Sequence, residues 1–304
     1  MTFRTVETET RRSIRQARVF HGLRARLLYA VIGWLTRHAT HLTFMNYGYA
    51  GALPAPLRPE DEAQRIPAQL YHAVAGQADL RGRRVLDVGT GRGGGARHVQ
   101  VYFGPQSTTG CDLTAGILDF CRRVHRHVPG LDFVASDAMA LPFAAASFDA
   151  VLSVESAHCY PERERFFAEA ARVLTPGGVF LFADFTPADT REAPGAWLAR
   201  TKAELARAGF ERICFEDITA GVVRGLAADS DRRCAEIERR FPRGTRRLAR
   251  LWAGTTESWI YDDFRGGRRR YYRGRMERAG ALPERHARPA RVDYGLTAEL
   301  EPTT

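Results

Sequence analysis

The stretch Val85-Leu-Asp87-Val-Gly89-Thr-Gly91-Arg-Gly93-Gly-Gly gathers residue types suited to holding a small organic ligand. An apolar strand runs into a glycine-rich turn, and the pattern predicts a helix from about Gly95. Glycines let the backbone turn tightly and approach a ligand without a Cβ in the way, while a helix N-terminus offers unpaired N–H groups. Nicotinamide and flavin dinucleotides use the same frame, so the turn by itself does not choose a ligand. Asp87 opposes a dinucleotide: two residues before Gly89, its charge would face a pyrophosphate, whereas an ammonium-bearing ligand tolerates it and can reach it through water. Cys111-Asp112 closes the next strand, 23 residues after Gly89, where a carboxylate can accept from both ribose hydroxyls. Ser136-Asp137-Ala138 follows the third strand, where an acid and the next backbone N–H can bracket an adenine amino edge. A ribose acid, an adenine acid and no phosphate-friendly loop fit an adenosyl amino acid.

The elements that must hold these residues are legible from Arg84 onward. Short β-branched runs predict strands at Val85–Val88, Thr108–Cys111, Leu131–Ala135, Ala150–Val154, Val179–Asp184 and Ile213–Ile218. Helical segments separate them, as in βαβ units with a parallel sheet. Residues 163–174 read as an amphipathic helix stopped by Pro176-Gly177-Gly178. Residues 219–264 read mostly as helix, Arg268–Arg275 as a final edge strand, and the residues from Leu282 as a loose tail. Ahead of the core, one or two basic amphipathic helices are expected over 10–45, a loop over Tyr47–Gly51 and Pro54–Pro59, and a helix over 60–76.

Open α/β sheets bind ligands beyond the carboxyl ends of their strands. His158, just after the fourth strand, is placed there to take a proton from a hydroxyl, with simple hydrogen bonding to its loop as the competing role. Glu155 is a candidate for cofactor contact or base orientation, against a structural salt bridge. Tyr47 and Tyr49 offer aromatic faces that attract a cation, against ordinary packing. Trp197, Trp252, Trp259 and Phe264 fit lid and cap walls, more often as core than as substrate contacts. Cys121, His125 and His127 lack metal-ligand spacing, so no metal is expected.

Composition narrows the class. In 304 residues the chain carries a formal net charge of +10, and Lys202 is its only lysine. Residues 51–220 hold 18 basic and 21 acidic side chains; residues 1–50 hold 8 and 2, and residues 221–304 hold 19 and 12. The excess therefore lies in the flanks, and no nucleic-acid motif accompanies it. A solvated surface is the plain reading. Five scattered cysteines with no Cys-x-x-Cys pair point to a reducing cytoplasm. The N-terminus lacks signal-peptide character, and the longest apolar run, Leu27–Leu35, is too short to span a bilayer.

Taken in order, Asp87-x-Gly89-x-Gly91-x-Gly93, Asp112, Asp137-Ala138, Leu141-Pro142-Phe143 with Ser147-Phe148-Asp149, and Arg172-Val-Leu-Thr-Pro-Gly-Gly178 resemble the successive motifs of class I methyltransferases over residues 84–185. The flanking Phe44-Met-Asn46-Tyr47-Gly48-Tyr49, Val154–Pro161 and Glu216-Asp217-Ile218-Thr219 are similar to small-molecule enzymes of secondary metabolism, namely phthiotriol and glycosyl O-methyltransferases and sterol-type C-methyltransferases. The resemblance implies an α/β, Rossmann-like, mostly parallel sheet with an antiparallel last strand. It also implies a helical lid (1–60), a cofactor-binding core (61–218), a helical cap (219–264), a final core strand (265–281) and a tail (282–304). The cofactor would be S-adenosyl-L-methionine, leaving as S-adenosyl-L-homocysteine, held by Tyr47, Tyr49, Asp87, Gly89, Thr90, Gly91, Gly93, Asp112, Leu113, Asp137, Ala138 and Glu155. A histidine in the loop of His158 serves as base in the resembling O-methyltransferases. The expected partner is a small-molecule acceptor rather than nucleic acid, with peripheral membrane or carrier contact through residues 1–50 as an addition and a homodimer among the readings. C-methylation, carboxylate methylation, a non-methylating cyclase and a regulatory sensor of the cofactor stay open as alternatives.

Overall fold

The computed structural model describes residues 38–51, 57–187 and 193–280. Seven strands form one sheet: β1 (Arg84–Val88), β2 (Ser107–Asp112), β3 (Leu131–Ala135), β4 (Phe148–Val154), β5 (Leu174–Phe185), β6 (Phe210–Asp217) and β7 (Tyr271–Arg278). Their order is β3-β2-β1-β4-β5-β7-β6. Neighbours from β3 to β5 pair in parallel, and β7 runs antiparallel to both β5 and β6. A parallel sheet must be covered on both faces, which is why β5 reads as the unbroken apolar run Val-Phe-Leu-Phe-Ala. Alternation along it splits two cores. Phe180 and Phe182 join Phe166, Phe167, Trp197 and Phe210 on one face, whereas Val179, Leu181 and Ala183 join Leu70, Val222 and Phe264 on the other.

Eight helices are assigned among the described residues: α1 (Arg65–Ala75), α2 (Gly94–Phe103), α3 (Ala115–His125), α4 (Arg163–Val173), α5 (Pro194–Arg207), α6 (Thr219–Arg240), α7 (Arg246–Trp252) and α8 (Trp259–Arg265). Helices α6 to α8 interrupt the sheet between β6 and β7, where the sequence predicted a helical stretch. None of the described helices is long and apolar enough to cross a membrane.

Three expectations are corrected. The final strand was expected over Arg268–Arg275 at the sheet edge; it begins at Tyr271 and lies between β5 and β6, leaving β6 as the edge. Its arginines misled because their charges are paired within the sheet: Arg273 binds Glu216 across the β6–β7 pair at 2.6 Å, and Arg275 binds Glu277 along β7 itself at 2.6 Å. The expected helices over 10–45 do not include residues 38–45, which are turns and extended chain. Apart from local turns that bond Thr40 to His38 and Leu42 to Ala39, their backbone groups bond to the core: Arg92 takes the carbonyls of Ala39 and Leu42, and Gly94 donates to the Thr43 carbonyl. The rest of the predicted N-terminal helices and the tail from Leu282 lie outside the described residues. Trp197, expected in a wall of lid or cap, is a core residue stacked on Tyr272 at 5.7 Å.

Candidate active site

The ends of β1, β2, β4 and β5 meet where the strand order reverses between β1 and β4, and that crevice holds most of the singled-out residues. After β1 the loop passes through Gly89, Gly91 and Gly93 at φ of 76°, 55° and 77°, a left-handed path that side chains disfavour. At Gly89 a Cβ would also stand 2.4 Å from that of Ser156 in the loop after β4, so the two loops touch only because this residue is glycine. Gly89 and Thr90 donate to the Cys111 carbonyl at 2.9 and 3.0 Å, tying the turn to β2. Asp112 then accepts from the Gly91 N–H at 3.1 Å and the Thr114 N–H at 3.0 Å. Leu113 beside it is 48% exposed, an apolar side chain presented at the crevice. Asp137 is exposed and bonds the Met139 N–H, while Ala138 is buried.

Beneath the loop Asp87 is fully buried, accepting from the Thr90 hydroxyl at 2.7 Å. Burial pushes its carboxyl up to about 7 against the pull of the Thr90 and Tyr71 hydroxyls, with Asp112 pushing further. Asp112 is likewise raised by burial. Glu155 sits at the end of β4 at φ 52°, an uncommon conformation for a non-glycine residue. Its backbone N–H is held by the Ala183 carbonyl at 2.8 Å, and its carboxylate accepts from the Tyr47 N–H and the Tyr271 hydroxyl, both at 2.9 Å. Burial carries it to about 7 as well.

Residues 38–51 form a strap across this crevice. Met45 lies against Gly91, and Tyr47 packs its ring on Phe185 and Phe264 at 5.4 and 5.8 Å. Asn46 is buried between them, and its Oδ1 has no hydrogen-bond partner. Tyr49 goes elsewhere. It packs on Gly221 of α6 and bonds α1 through the Ile66 and Gln69 groups, so the structure uses it to dock the strap.

Beside the strap His158 occupies a 3-10 turn, Ala157–Cys159, after β4. Asp184, 1% exposed near the end of β5, accepts from the His158 backbone N–H at 2.9 Å and meets Nδ1 at 2.8 Å. The ring is also held against Phe185 at 4.5 Å, with 27% of the side chain exposed. Burial alone would disfavour the charged imidazole, but the Asp184 charge and hydrogen bond override it and raise the pKa well above the ordinary histidine value. Nδ1 is thereby fixed as the donor, and in the neutral ring Nε2 is left as the acceptor. Asp184 was not singled out in the sequence. Its only signal is an acid ending an apolar strand 26 residues after His158.

The donor set fits a cation. Three carboxyls with raised pKa values converge on one crevice, and the orphaned Asn46 Oδ1 adds a further acceptor in the strap that crosses it. Such a crevice would repel a pyrophosphate and welcomes the ammonium and sulfonium of S-adenosylmethionine.

Comparison with known proteins agrees with this reading. A family model described as a methyltransferase domain matches residues 86–182. The phthiotriol/phenolphthiotriol dimycocerosates methyltransferase of Mycobacterium tuberculosis is 38% identical over 232 residues, covering 76% of this chain and 83% of the relative. The fatty-acid O-methyltransferase of Mycolicibacterium smegmatis is 43% identical over 203 residues, 66% of this chain and 71% of that one. Among solved structures, geranyl diphosphate C-methyltransferase from Streptomyces coelicolor shares the fold at a TM-score of 0.57 and 18% identity, over 81% of this chain and 96% of the other. The chain belongs to the S-adenosylmethionine-dependent methyltransferases.

Proposed function

We propose that the enzyme methylates an oxygen of an apolar small-molecule acceptor, with His158 as base and Asp184 as the residue that orients it. The single observation behind this is the Asp184–His158 contact at 2.8 Å, which leaves Nε2 as the proton acceptor at the carboxyl edge of the sheet. One of the relatives cited above is named for phthiotriol and phenolphthiotriol dimycocerosates, and the other for O-methylation of a fatty acid. Bound S-adenosylmethionine supplies an electrophilic methyl group and leaves as a thioether.

This chain's residues do the rest. Asp112 is set to accept from the ribose hydroxyls, and Asp137 with Ala138 to bracket the adenine. Gly89, Thr90, Gly91, Gly93 and Leu113 form the surface for the adenosyl moiety. Asp87, Glu155 and the strap carrying Tyr47 and Tyr49 form the electronegative end. Residues 1–60 act as lid and 219–264 as cap, and together with Phe185 and Phe264 they keep water from the reacting atoms. As the acceptor oxygen takes the methyl group, its hydroxyl proton passes to Nε2 of His158, and the buried Asp184 carboxylate stabilises the imidazolium that results.

His158→Ala is expected to lower turnover of a hydroxyl acceptor by about 10²–10⁴-fold while S-adenosylhomocysteine affinity stays within about twofold of wild type. Product mass spectrometry and calorimetry read the two quantities. A loss of turnover under about threefold removes His158 from the mechanism.

A further inference from the structure

Arginines that reach inward among the described residues find hydrogen-bond partners for most of their fork. Arg233, for instance, bonds the Asp229 carboxylate and the carbonyls of Asn46, Tyr47 and Ala253. Arg269, in the segment joining α8 to β7, is different. Its side chain is only 11% exposed, its buried Nε has no hydrogen-bond partner, and its guanidinium makes no hydrogen bond among the described residues. The nearest carboxylate, Asp263, gives its close contact to Arg268 at 2.6 Å and stands 3.7 Å from Arg269 Nε, outside hydrogen-bond range. Two cations thus share one anion, leaving a positive charge over.

Position gives that surplus a use. The Arg269 guanidinium lies over the rings of Phe185 at 5.5 Å and Trp259 at 5.1 Å, and Phe185 is the ring that His158 and Tyr47 also touch. Among charged neighbours Arg269 acts most strongly on the Tyr47 hydroxyl, easing a phenol that burial otherwise raises. The cation, the base and the strap therefore converge on one aromatic wall. Aromatic faces attract a guanidinium but cannot accept its N–H groups in the plane of the fork, where a carboxylate binds two at once.

We infer that Arg269 is a specificity-determining residue that pairs with a carboxylate of the acceptor, whose apolar body lies along Phe185 and Trp259 while a hydroxyl faces His158. The acceptor class is an apolar or aromatic hydroxy acid. A single surplus cation set among aromatic rings suits a monoanion better than a phosphate. The inference deepens the proposed O-methylation and rests on it for the placing of the hydroxyl, but the anion site is testable without turnover.

The test is binding to the full-length protein loaded with S-adenosylhomocysteine, by calorimetry, of 3-(4-hydroxyphenyl)propanoate and its methyl ester. Wild type is expected to bind the acid at least about tenfold more tightly than the ester, which corresponds to one paired, charge-assisted contact. Arg269→Met should bring the two within about twofold of each other, and Arg269→Lys should keep part of the preference, with the melting temperature and S-adenosylhomocysteine affinity of both variants unchanged. Equal binding of acid and ester by wild type, no binding of either at millimolar concentration, or a preference that survives in folded Arg269→Met overturns the assignment. If Arg269→Met does not fold, Arg269→Lys decides, since a purely structural cation would leave the acid–ester ratio unmoved. Preferential binding of the acid without methylation in the presence of S-adenosylmethionine would count against the O-transfer reading while sustaining the anion site.

Discussion

Asp184 and His158 form the arrangement with the most direct chemical consequence. The carboxylate raises the imidazole pKa well above its ordinary value, so at neutral pH the proton-accepting form is the minor one. Turnover limited by proton transfer should therefore rise with pH through an alkaline limb. Asp184→Asn removes the charge that overrides burial; the limb should shift to lower pH, and the plateau should fall by about 10²-fold or more as the ring loses its orientation. A limb that stays in place in the variant would detach Asp184 from the base. The carboxyls of the crevice give binding a pH dependence of the same sign. Asp87 and Glu155 hold protons up to about pH 7, and a cationic ligand favours their ionised forms. Binding of S-adenosylmethionine should thus release protons at pH 6.5, and affinity should rise with pH by up to about tenfold per unit for each linked proton. Calorimetry in phosphate and in imidazole buffers measures this directly, and equal heats in both would show the carboxyls to be uncoupled from the ligand.

At the scale of elements, β7 reconciles charge with close packing. Gly274 pairs with Phe182 of β5 on one side and Phe215 of β6 on the other, and those two rings meet across it at 6.0 Å. A Cβ at this position would stand 2.7 Å from the Phe215 ring. Gly274→Val should force the rings apart, lower stability by about 1–3 kcal/mol and reduce the melting temperature by several degrees, despite the better strand propensity of valine. A melting temperature at or above wild type would show that the rings give way freely. The end of β4 shows another compromise, because Glu155 keeps a left-handed backbone only while Ala183, Tyr47 and Tyr271 hold it. Strain of that kind, of order 1–3 kcal/mol, gathers at functional sites.

For the whole molecule, the strap joins regions distant in sequence. Arg92, 4% exposed, reaches from the glycine loop to the carbonyls of Ala39 and Leu42 and stacks on Phe120 at 3.7 Å. Arg233 of α6 holds the carbonyls of Asn46 and Tyr47, and Ala50 donates to the Gly221 carbonyl. Glycine loop, strap and α6 are therefore one hydrogen-bonded unit. Removing residues 1–50 should leave the sheet folded, weaken S-adenosylmethionine binding by roughly tenfold or more and abolish transfer, because Glu155 and the two arginines lose these partners and water enters the crevice. Normal turnover by the truncated protein would reduce the strap to a covering segment.

Much of this was written in local sequence. The glycine turn, the acid after β2 and the acid after β3 lie within a few residues of the strands that position them, so period and punctuation were enough to place them, and the intervening helices followed from their spacing. The site's deeper partners were not legible. Asp184 and His158 are 26 residues apart, and Arg269 reaches Phe185 from the far side of the cap; only the pairing of β4, β5 and β7 brings them together. The place of β7 was hidden for the same reason. A strand rich in arginine reads as an edge until a neighbour supplies a glutamate such as Glu216, and which strands are neighbours is decided by burial of both sheet faces, a property of the whole chain. Tyr49 shows the converse: its type suited a cation-binding face, but the contact that claims it is Gly221, 172 positions away.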